Sequence, residues 1–170
     1  NFLPNYKTKR KSKKIKKKIY NYFISYNKNE KWFCNNLFFL DNQLNKFKNI
    51  NNILEIGSYE GRSCIFFCNK FTNANITCVD TWSGSDEHLN TKFNEIENNF
   101  NKNINSHIEP HRVKKIKKSS DKFFDTNDEF YDLIYIDGDH ETEQVKKDIY
   151  NSWVKLKRGG YLILDDYTWW

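Results

Sequence analysis

One stretch of the 170-residue chain, residues 53–61 (ILEIGSYEG), constrains the fold more than any other. Its apolar first half, which closes on the acidic residue Glu55, predicts a buried strand, and Gly57 and Gly61 predict a sharp turn into a helix. Glycine is needed where the backbone takes unusual dihedral angles or comes close to a ligand. A strand that enters a helix through such a turn directs backbone N–H groups at whatever lies above the sheet.

Three later segments repeat the pattern of an apolar stretch that ends in an acid: residues 75–80, 131–137 and 161–165. Amphipathic helical patterns lie between them, and the clearest covers residues 141–156, with Val145, Ile149, Trp153 and Leu156 on one apolar stripe. Apolar strands that alternate with such helices predict an α/β fold, a Rossmann-like doubly wound sheet that is mostly parallel and covered on both faces.

Ligands of such sheets bind beyond the carboxyl ends of the strands. Each of the four predicted strands carries an acid at that end: Glu55, Asp80, Asp137 and Asp165. The carboxyl edge of the sheet is therefore the predicted functional site.

Charge divides the chain into regions. Nine of the 28 basic residues fall within residues 7–18, and the rest of the chain carries 19 basic and 22 acidic residues. We predict a basic arm (1–20), a helical segment (21–50) and a ligand-binding domain (51–170). The arm is suited to nucleic acid or an anionic surface, although a solvated extension explains it equally well. No apolar run approaches the roughly 20 residues that span a bilayer.

The four cysteines, Cys34, Cys64, Cys68 and Cys78, form no Cys-x-x-Cys pair. Cys64 and Cys68 lie on one face of the helix that follows the glycine turn. A zinc site would need further cysteines or histidines nearby, and the histidines are dispersed. The pattern predicts buried free thiols in a reducing, cytoplasmic environment.

Asp80 lies nineteen residues beyond Gly61, at the end of the next predicted strand. A carboxylate at this place can accept hydrogen bonds from both ribose hydroxyls of a bound nucleoside; the alternative is a simple loop cap. The spacing Glu-x-Gly-x-x-x-Gly differs from Gly-x-Gly-x-x-Gly. It therefore disfavours a nicotinamide dehydrogenase and favours a cofactor without a pyrophosphate.

Four motifs in this order resemble the class I S-adenosylmethionine-dependent methyltransferases: residues 54–61 (LEIGSYEG), 79–82 (VDTW), 136–140 (IDGDH) and 159–166 (GGYLILDD). The chain is most similar to methyltransferase family 24, which is related to metal-dependent sugar and catechol-type O-methyltransferases. The resemblance covers residues 52–170 and leaves out the first forty. It implies an enzyme that methylates a hydroxyl of a small-molecule or glycan acceptor.

The resemblance also implies a set of cofactor-binding residues: Glu55, Gly57, Ser58, Gly61, Asp80, Trp82, Ser120 and Asp121. For three of them another interpretation stays open. Trp82 is expected beside the adenine or in a packing position, and Ser120 and Asp121 at the adenine edge or in a helix cap.

Asp137 and Asp165 end two strands that should be neighbours, so their carboxylates would repel unless a cation neutralised them. All-oxygen ligands suit Mg²⁺, and the resemblance adds Asp166 as a third ligand. In this scheme Asp137 and His140 are catalytic. His140 would act as the base, since an imidazole is the side chain best suited to proton removal near neutrality; the alternative is that it caps the following helix.

The chain departs from the family after the last predicted strand, where such enzymes continue with an antiparallel hairpin. We therefore expect a sheet without that hairpin and a methyltransferase domain that is incomplete at its C-terminus. Two alternatives remain open. One is an RNA methyltransferase, acting on ribose or cap, that uses the basic arm; the other is a non-catalytic cofactor-binding domain of a larger protein.

Overall fold

The computed structural model describes residues 32–84 and 93–165. Within them, helices and strands alternate as α1 (Trp32–Leu44), β1 (Asn52–Ile56), α2 (Arg62–Lys70), β2 (Asn75–Asp80), α3 (Phe93–His107), β3 (Val113–Lys117), α4 (Ser120–Phe124), β4 (Tyr131–Ile136), α5 (Thr142–Lys155) and β5 (Leu156–Leu164). Among the helices of these two ranges, none has the length and apolar character needed to cross a membrane. The predicted basic arm lies outside the described residues.

The five strands form one sheet in the order β3-β2-β1-β4-β5, and every pair is parallel. Chain order reverses at β1, which pairs with β2 on one side and with β4 on the other. Glu55 at the centre of this arrangement lies opposite Cys78 of β2 and Tyr135 of β4. The junction of β1 and β4 is the topological switch point, where open parallel sheets bind their ligands. The predicted Rossmann-like doubly wound sheet is confirmed.

Alternation along the strands buries both faces of the sheet. Ile53 and Leu133 join the larger core beneath α1, α2 and α3, whereas Leu54 and Ile134 join a second core beneath α4 and α5. All four side chains are at most 1% exposed. Burial of each such side chain stabilises the fold by about 1.5–3 kcal/mol, so the hydrophobic strand sequences specify a sheet covered on both sides.

Helix α5 is rotated relative to the sequence prediction. Trp153, predicted on the apolar stripe, is 68% exposed, whereas Ser152 is fully buried. After Ile149, which packs on the second core, the inward position falls three residues later instead of four. The prediction for Trp153 was therefore wrong, because spacings of three and four residues both return to one helix face.

Candidate active site

The glycine turn packs directly against the segment that follows β4. Gly57 has φ +83°, and a Cβ atom placed on it would lie 1.9 Å from the carbonyl oxygen of Asp137. The Gly57 N–H donates to the Val79 carbonyl at 2.9 Å, and the Asp137 N–H donates to the Ile56 carbonyl at 2.8 Å. Glycine is therefore required at position 57 for both its backbone conformation and the close approach of β4.

Asp80 holds the turn from the other side. One carboxylate oxygen accepts the backbone N–H groups of Ser58 (2.9 Å) and Tyr59 (2.8 Å), and the other accepts the Trp82 N–H at 2.7 Å. The N–H groups that the sequence predicted to face a ligand are thus bound to Asp80. The structure brings Gly57, Ser58 and Asp80 together, and Gly61 ends the turn as the residue preceding α2. Ribose binding by Asp80 stays a prediction.

Trp82 occupies a packing position. It is 3% exposed, and its indole N–H donates to the Tyr59 carbonyl at 2.8 Å. The ring centroid lies 4.9 Å from that of Phe100, and the Lys115 ammonium lies 4.4 Å from the indole centroid. These contacts correspond to the packing alternative, while a contact with adenine stays a prediction.

Glu55 lies beneath the turn and is fully buried. Neither of its carboxylate oxygens has a hydrogen bond of normal geometry within the described residues. Burial raises the pKa of Glu55, although the nearby Ser58 and Ser63 hydroxyls and the Cys78 thiol oppose the rise. A direct contact of this carboxyl with a bound cofactor stays a prediction.

An acidic edge forms where β4 and β5 end. Asp137 follows β4, Asp165 follows β5, and the Asp165 N–H donates to the Ile136 carbonyl at 3.0 Å. The buried hydroxyl of Tyr135 donates to an Asp137 carboxylate oxygen at 3.2 Å. Burial raises the pKa of Tyr135 well above its ordinary value, and the charges of Asp137, Asp165 and Glu55 raise it further. Tyr135 is a site residue that the sequence analysis missed, because its position in an apolar strand indicated only packing.

Two carboxylates of this edge belong to the predicted magnesium site, which stays a prediction. Asp137 and Asp165 are both partly exposed, and both act electrostatically on the same Tyr135 hydroxyl. Carboxylate oxygens that reach solvent are the donors that a hard cation prefers. Asp166, the predicted third ligand, lies outside the described residues.

His140 lies between Asp137 and α5 and is partly exposed. The Asp139 carboxylate accepts the Glu141 N–H at 3.0 Å, and Glu141 is the residue that caps α5. Asp139 therefore supplies a hydrogen bond that fixes the entry into the helix. The role of His140 as a base stays a prediction.

Ser120 and Asp121 begin α4, but the capping side chain belongs to Ser119, whose hydroxyl accepts the Lys122 N–H at 3.4 Å. The Gln144 amide of α5 lies within hydrogen-bonding distance of three oxygens: Ser120 (3.1 Å), Asp121 (3.2 Å) and Asp148 (3.1 Å). Sequence reasoning missed this cluster. The spacing of four residues between Gln144 and Asp148 was the signal that could have indicated it.

The sheet order and the site at its carboxyl edge define a Rossmann-like class I methyltransferase fold. Residues 54–167 match the model of methyltransferase family 24, described as a methyltransferase domain. The chain belongs to this family.

Individual relatives are similar over about three quarters of the chain. Uncharacterized protein R132 of Acanthamoeba polyphaga mimivirus is 27% identical over 129 residues, which are 75% of this chain and 57% of that protein. A Staphylococcus aureus protein assigned as a caffeoyl-CoA O-methyltransferase has 23% identity and a TM-score of 0.58, over 75% of this chain and 55% of its own. An S-adenosylmethionine-dependent methyltransferase of Agrobacterium tumefaciens has 15% identity and a TM-score of 0.56, over 74% and 41%. The chain thus spans little more than half of these relatives, or less.

Proposed function

We propose that the chain is an S-adenosylmethionine-dependent methyltransferase that transfers a methyl group to a hydroxyl of a small molecule or glycan. The observation that supports this most directly is the position of the glycine turn. The turn is bound on one side by Asp80, the predicted ribose ligand, and packs on the other against Asp137, the predicted metal ligand. A nucleoside cofactor and an acceptor hydroxyl would then meet at the switch point of the sheet.

In the proposed reaction, Asp137 and Asp165, together with Asp166, would hold Mg²⁺. When bound there, the ion lowers the pKa of an acceptor hydroxyl. Tyr135 orients Asp137 through its hydrogen bond. His140 would take the proton of the acceptor, and the resulting oxygen nucleophile would attack the methyl group of the cofactor in line. The bond between methyl and sulfur would break, and S-adenosylhomocysteine would leave as a neutral thioether. Much of the rate would arise from positioning.

The central test is calorimetry of S-adenosylhomocysteine binding, with and without Mg²⁺ and with a chelator. We expect saturable binding of S-adenosylhomocysteine, and a separate Mg²⁺ site that Asp137→Asn removes while S-adenosylhomocysteine still binds. Absence of binding in every condition would refute the proposal. Binding of S-adenosylhomocysteine without a Mg²⁺ site would leave a methyltransferase and remove the role of the ion.

The proposed base is tested by His140→Ala. We expect loss of turnover with unchanged affinity for S-adenosylhomocysteine, because the side chain acts on the acceptor and not on the cofactor. Turnover is measured as methyl transfer to a panel of sugars and catechols. If the variant loses both turnover and S-adenosylhomocysteine binding, His140 has a structural role.

Residues 1–50 and the cellular compartment of the protein are also part of the proposal. We propose that residues 1–20 form an arm and 21–50 a helical segment before the catalytic domain, in the cytoplasm. The free, buried thiols of Cys64, Cys68 and Cys78 support a reducing environment. If the arm instead serves an RNA methyltransferase, RNA binding should weaken steeply with salt and disappear when residues 1–20 are deleted.

A further inference from the structure

Three buried side chains converge beneath the glycine turn. Glu55 of β1, Cys64 of α2 and Cys78 of β2 each offer one ligand atom, and these atoms all lie within 4.8 Å of one another. All three residues have 0% of their surface exposed. The group is separate from the acidic edge, whose carboxylates reach solvent.

The carboxyl of Glu55 distinguishes this group from ordinary core packing. A buried carboxyl normally has hydrogen-bond partners, because loss of water is costly without them. Within the described residues, neither oxygen of Glu55 has a hydrogen bond of normal geometry, and neither does the buried hydroxyl of Ser58, although the Ser58 and Ser63 hydroxyls and the Cys78 thiol lie near the carboxyl. A fully buried acid that lacks hydrogen bonds of normal geometry and lies beside two thiols indicates that a ligand completes the cluster.

We propose that Glu55, Cys64 and Cys78 bind one thiophilic divalent cation of the Zn²⁺ class. Thiolate and carboxylate are both ligand types that Zn²⁺ takes, and a pair of thiolates is unsuited to Mg²⁺. The ion would displace the protons of the three groups to solvent. The Ser58 hydroxyl, which lies near Glu55 and Cys78, and the thiol of Cys68, which contacts that of Cys64, are candidates for a fourth ligand.

The proposed ion would join β1, α2 and β2 directly beneath the predicted cofactor turn, and the inference does not depend on methyl transfer. The spacing of cysteines and histidines gave no zinc signal, because one ligand is a carboxylate. The register of β1 and β2 brings Glu55 next to Cys78, because these two residues are paired across the neighbouring strands.

The experiment is titration of the reduced, chelator-treated full chain with Cd²⁺, followed through the ultraviolet charge-transfer absorption of thiolate–cadmium bonds. We expect saturation at one equivalent and competition by Zn²⁺ but not by Mg²⁺. Glu55→Gln and Cys78→Ser should each weaken binding by at least ~10-fold, the loss that even outer-shell changes around a metal cause. Absence of the absorption, or saturation that survives Cys78→Ser, would overturn the proposal.

Two variants serve as controls. Glu60→Gln changes another buried acid of the same turn, but Glu60 accepts a hydrogen bond from the Asn99 amide at 2.8 Å, so Cd²⁺ affinity should not change. Asp137→Asn should also leave it unchanged, because the acidic edge is a different site. Either variant weakening Cd²⁺ binding as much as Glu55→Gln would contradict the assignment.

A second measurement covers the case in which the ligand variants fail to fold. X-ray absorption of the zinc-loaded wild-type chain should show sulfur neighbours at about 2.3 Å. A first shell of oxygen and nitrogen alone would overturn the proposal without the use of any variant.

Discussion

At the residue scale, the site depends on side chains and backbone atoms that lie unusually close together. A Cβ atom at position 57 would overlap the Asp137 carbonyl, and the Tyr135 hydroxyl reaches the Asp137 carboxylate from the buried side. Both contacts converge on the residue that follows β4. The position of Asp137 is therefore set by Gly57 in the turn after β1 and by Tyr135 of β4. Substitution of either residue should change stability or ligand binding.

Gly57→Ala should destabilise the fold by more than ~2 kcal/mol, because it combines a left-handed backbone cost of about 1–2 kcal/mol with a steric overlap. Binding of S-adenosylhomocysteine should be lost as well. Urea unfolding and calorimetry are the measurements. The matched control is Gly159→Ala, which has φ +80° but open space around its Cβ position. Gly159→Ala should be destabilised only by the backbone cost. Equal losses of stability in the two variants would contradict a steric overlap at position 57.

Tyr135→Phe should weaken Mg²⁺ binding about 10-fold, which corresponds to the loss of one hydrogen bond of about 1.5 kcal/mol to the Asp137 carboxylate, the lower end for a charged acceptor. S-adenosylhomocysteine affinity should change little. Calorimetry measures both. Tyr131→Phe is the same chemical change in the same strand, where the hydroxyl donates to Asn127 at 3.1 Å instead. It should leave Mg²⁺ binding intact, and a similar effect of both variants would show that only strand stability is involved.

At the element scale, α5 shows how a polar contact orients a helix. Asp148 is 1% exposed and lies within 3.1 Å of the Gln144 amide, which also reaches Ser120 and Asp121 of α4. Trp153 points outward as a result. Helical periodicity predicted the helix itself correctly, but it could not rank a buried aspartate above a tryptophan, because that choice depends on partners from α4.

Asp148→Asn should change how stability varies with pH. Burial raises the pKa of Asp148 above its ordinary value of 3.8, although hydrogen bonds with Ser120 and Gln144 oppose the rise. The folded chain then holds this proton more tightly than the unfolded chain. The stabilising contribution of the protonated Asp148 carboxyl is present below pH 3.8 and is lost as the pH rises through the raised pKa of the folded state. The free energy of unfolding of the variant, relative to wild type, should therefore increase as the pH rises.

Asp132→Asn provides the control of opposite sign. Although burial raises the pKa of Asp132, hydrogen bonds with the Lys157 ammonium and the backbone N–H groups of Asn51 and Asn52 lower it overall. Its contribution is present above pH 3.8 and is lost as the pH falls through the lowered pKa. Denaturant unfolding between acidic and neutral pH measures both variants. If the unfolding free energies of the two variants, each relative to wild type, changed with pH in the same direction, the opposite pKa shifts assigned to Asp148 and Asp132 would be contradicted.

At the scale of the whole molecule, chain reversal at β1 brings together residues that are distant in sequence. Asp80 of β2 binds the turn that follows β1, and the same turn packs on the residue that follows β4. The proposed cofactor and metal sites are therefore joined by one turn.

Asp80→Asn should weaken S-adenosylhomocysteine binding roughly 10- to 100-fold. An amide is a weaker acceptor than a carboxylate, and hydrogen bonds to a charged group contribute about 1.5–3 kcal/mol. Calorimetry on the folded variant measures the change. Asp125→Asn alters an exposed acid at the end of α4 and controls for net charge. Unchanged affinity in Asp80→Asn would show that this carboxylate serves only the turn.

The sequence by itself determined four of the five strands, the parallel sheet and the family, because burial of apolar strands and the glycine turn leave few other folds. Strand β3 is not among those four, and β5 begins at Leu156, five residues before the predicted start. It also placed Asp80, Asp137 and Asp165 at one edge of the sheet, since the carboxyl ends of parallel strands meet there. Only the tertiary structure showed that Trp82 packs in the core, that Asp80 binds the backbone of the turn and that the buried Glu55 lies beside two thiols. These features depend on strand register and on the rotation of helices, which arise from contacts between residues far apart in the chain.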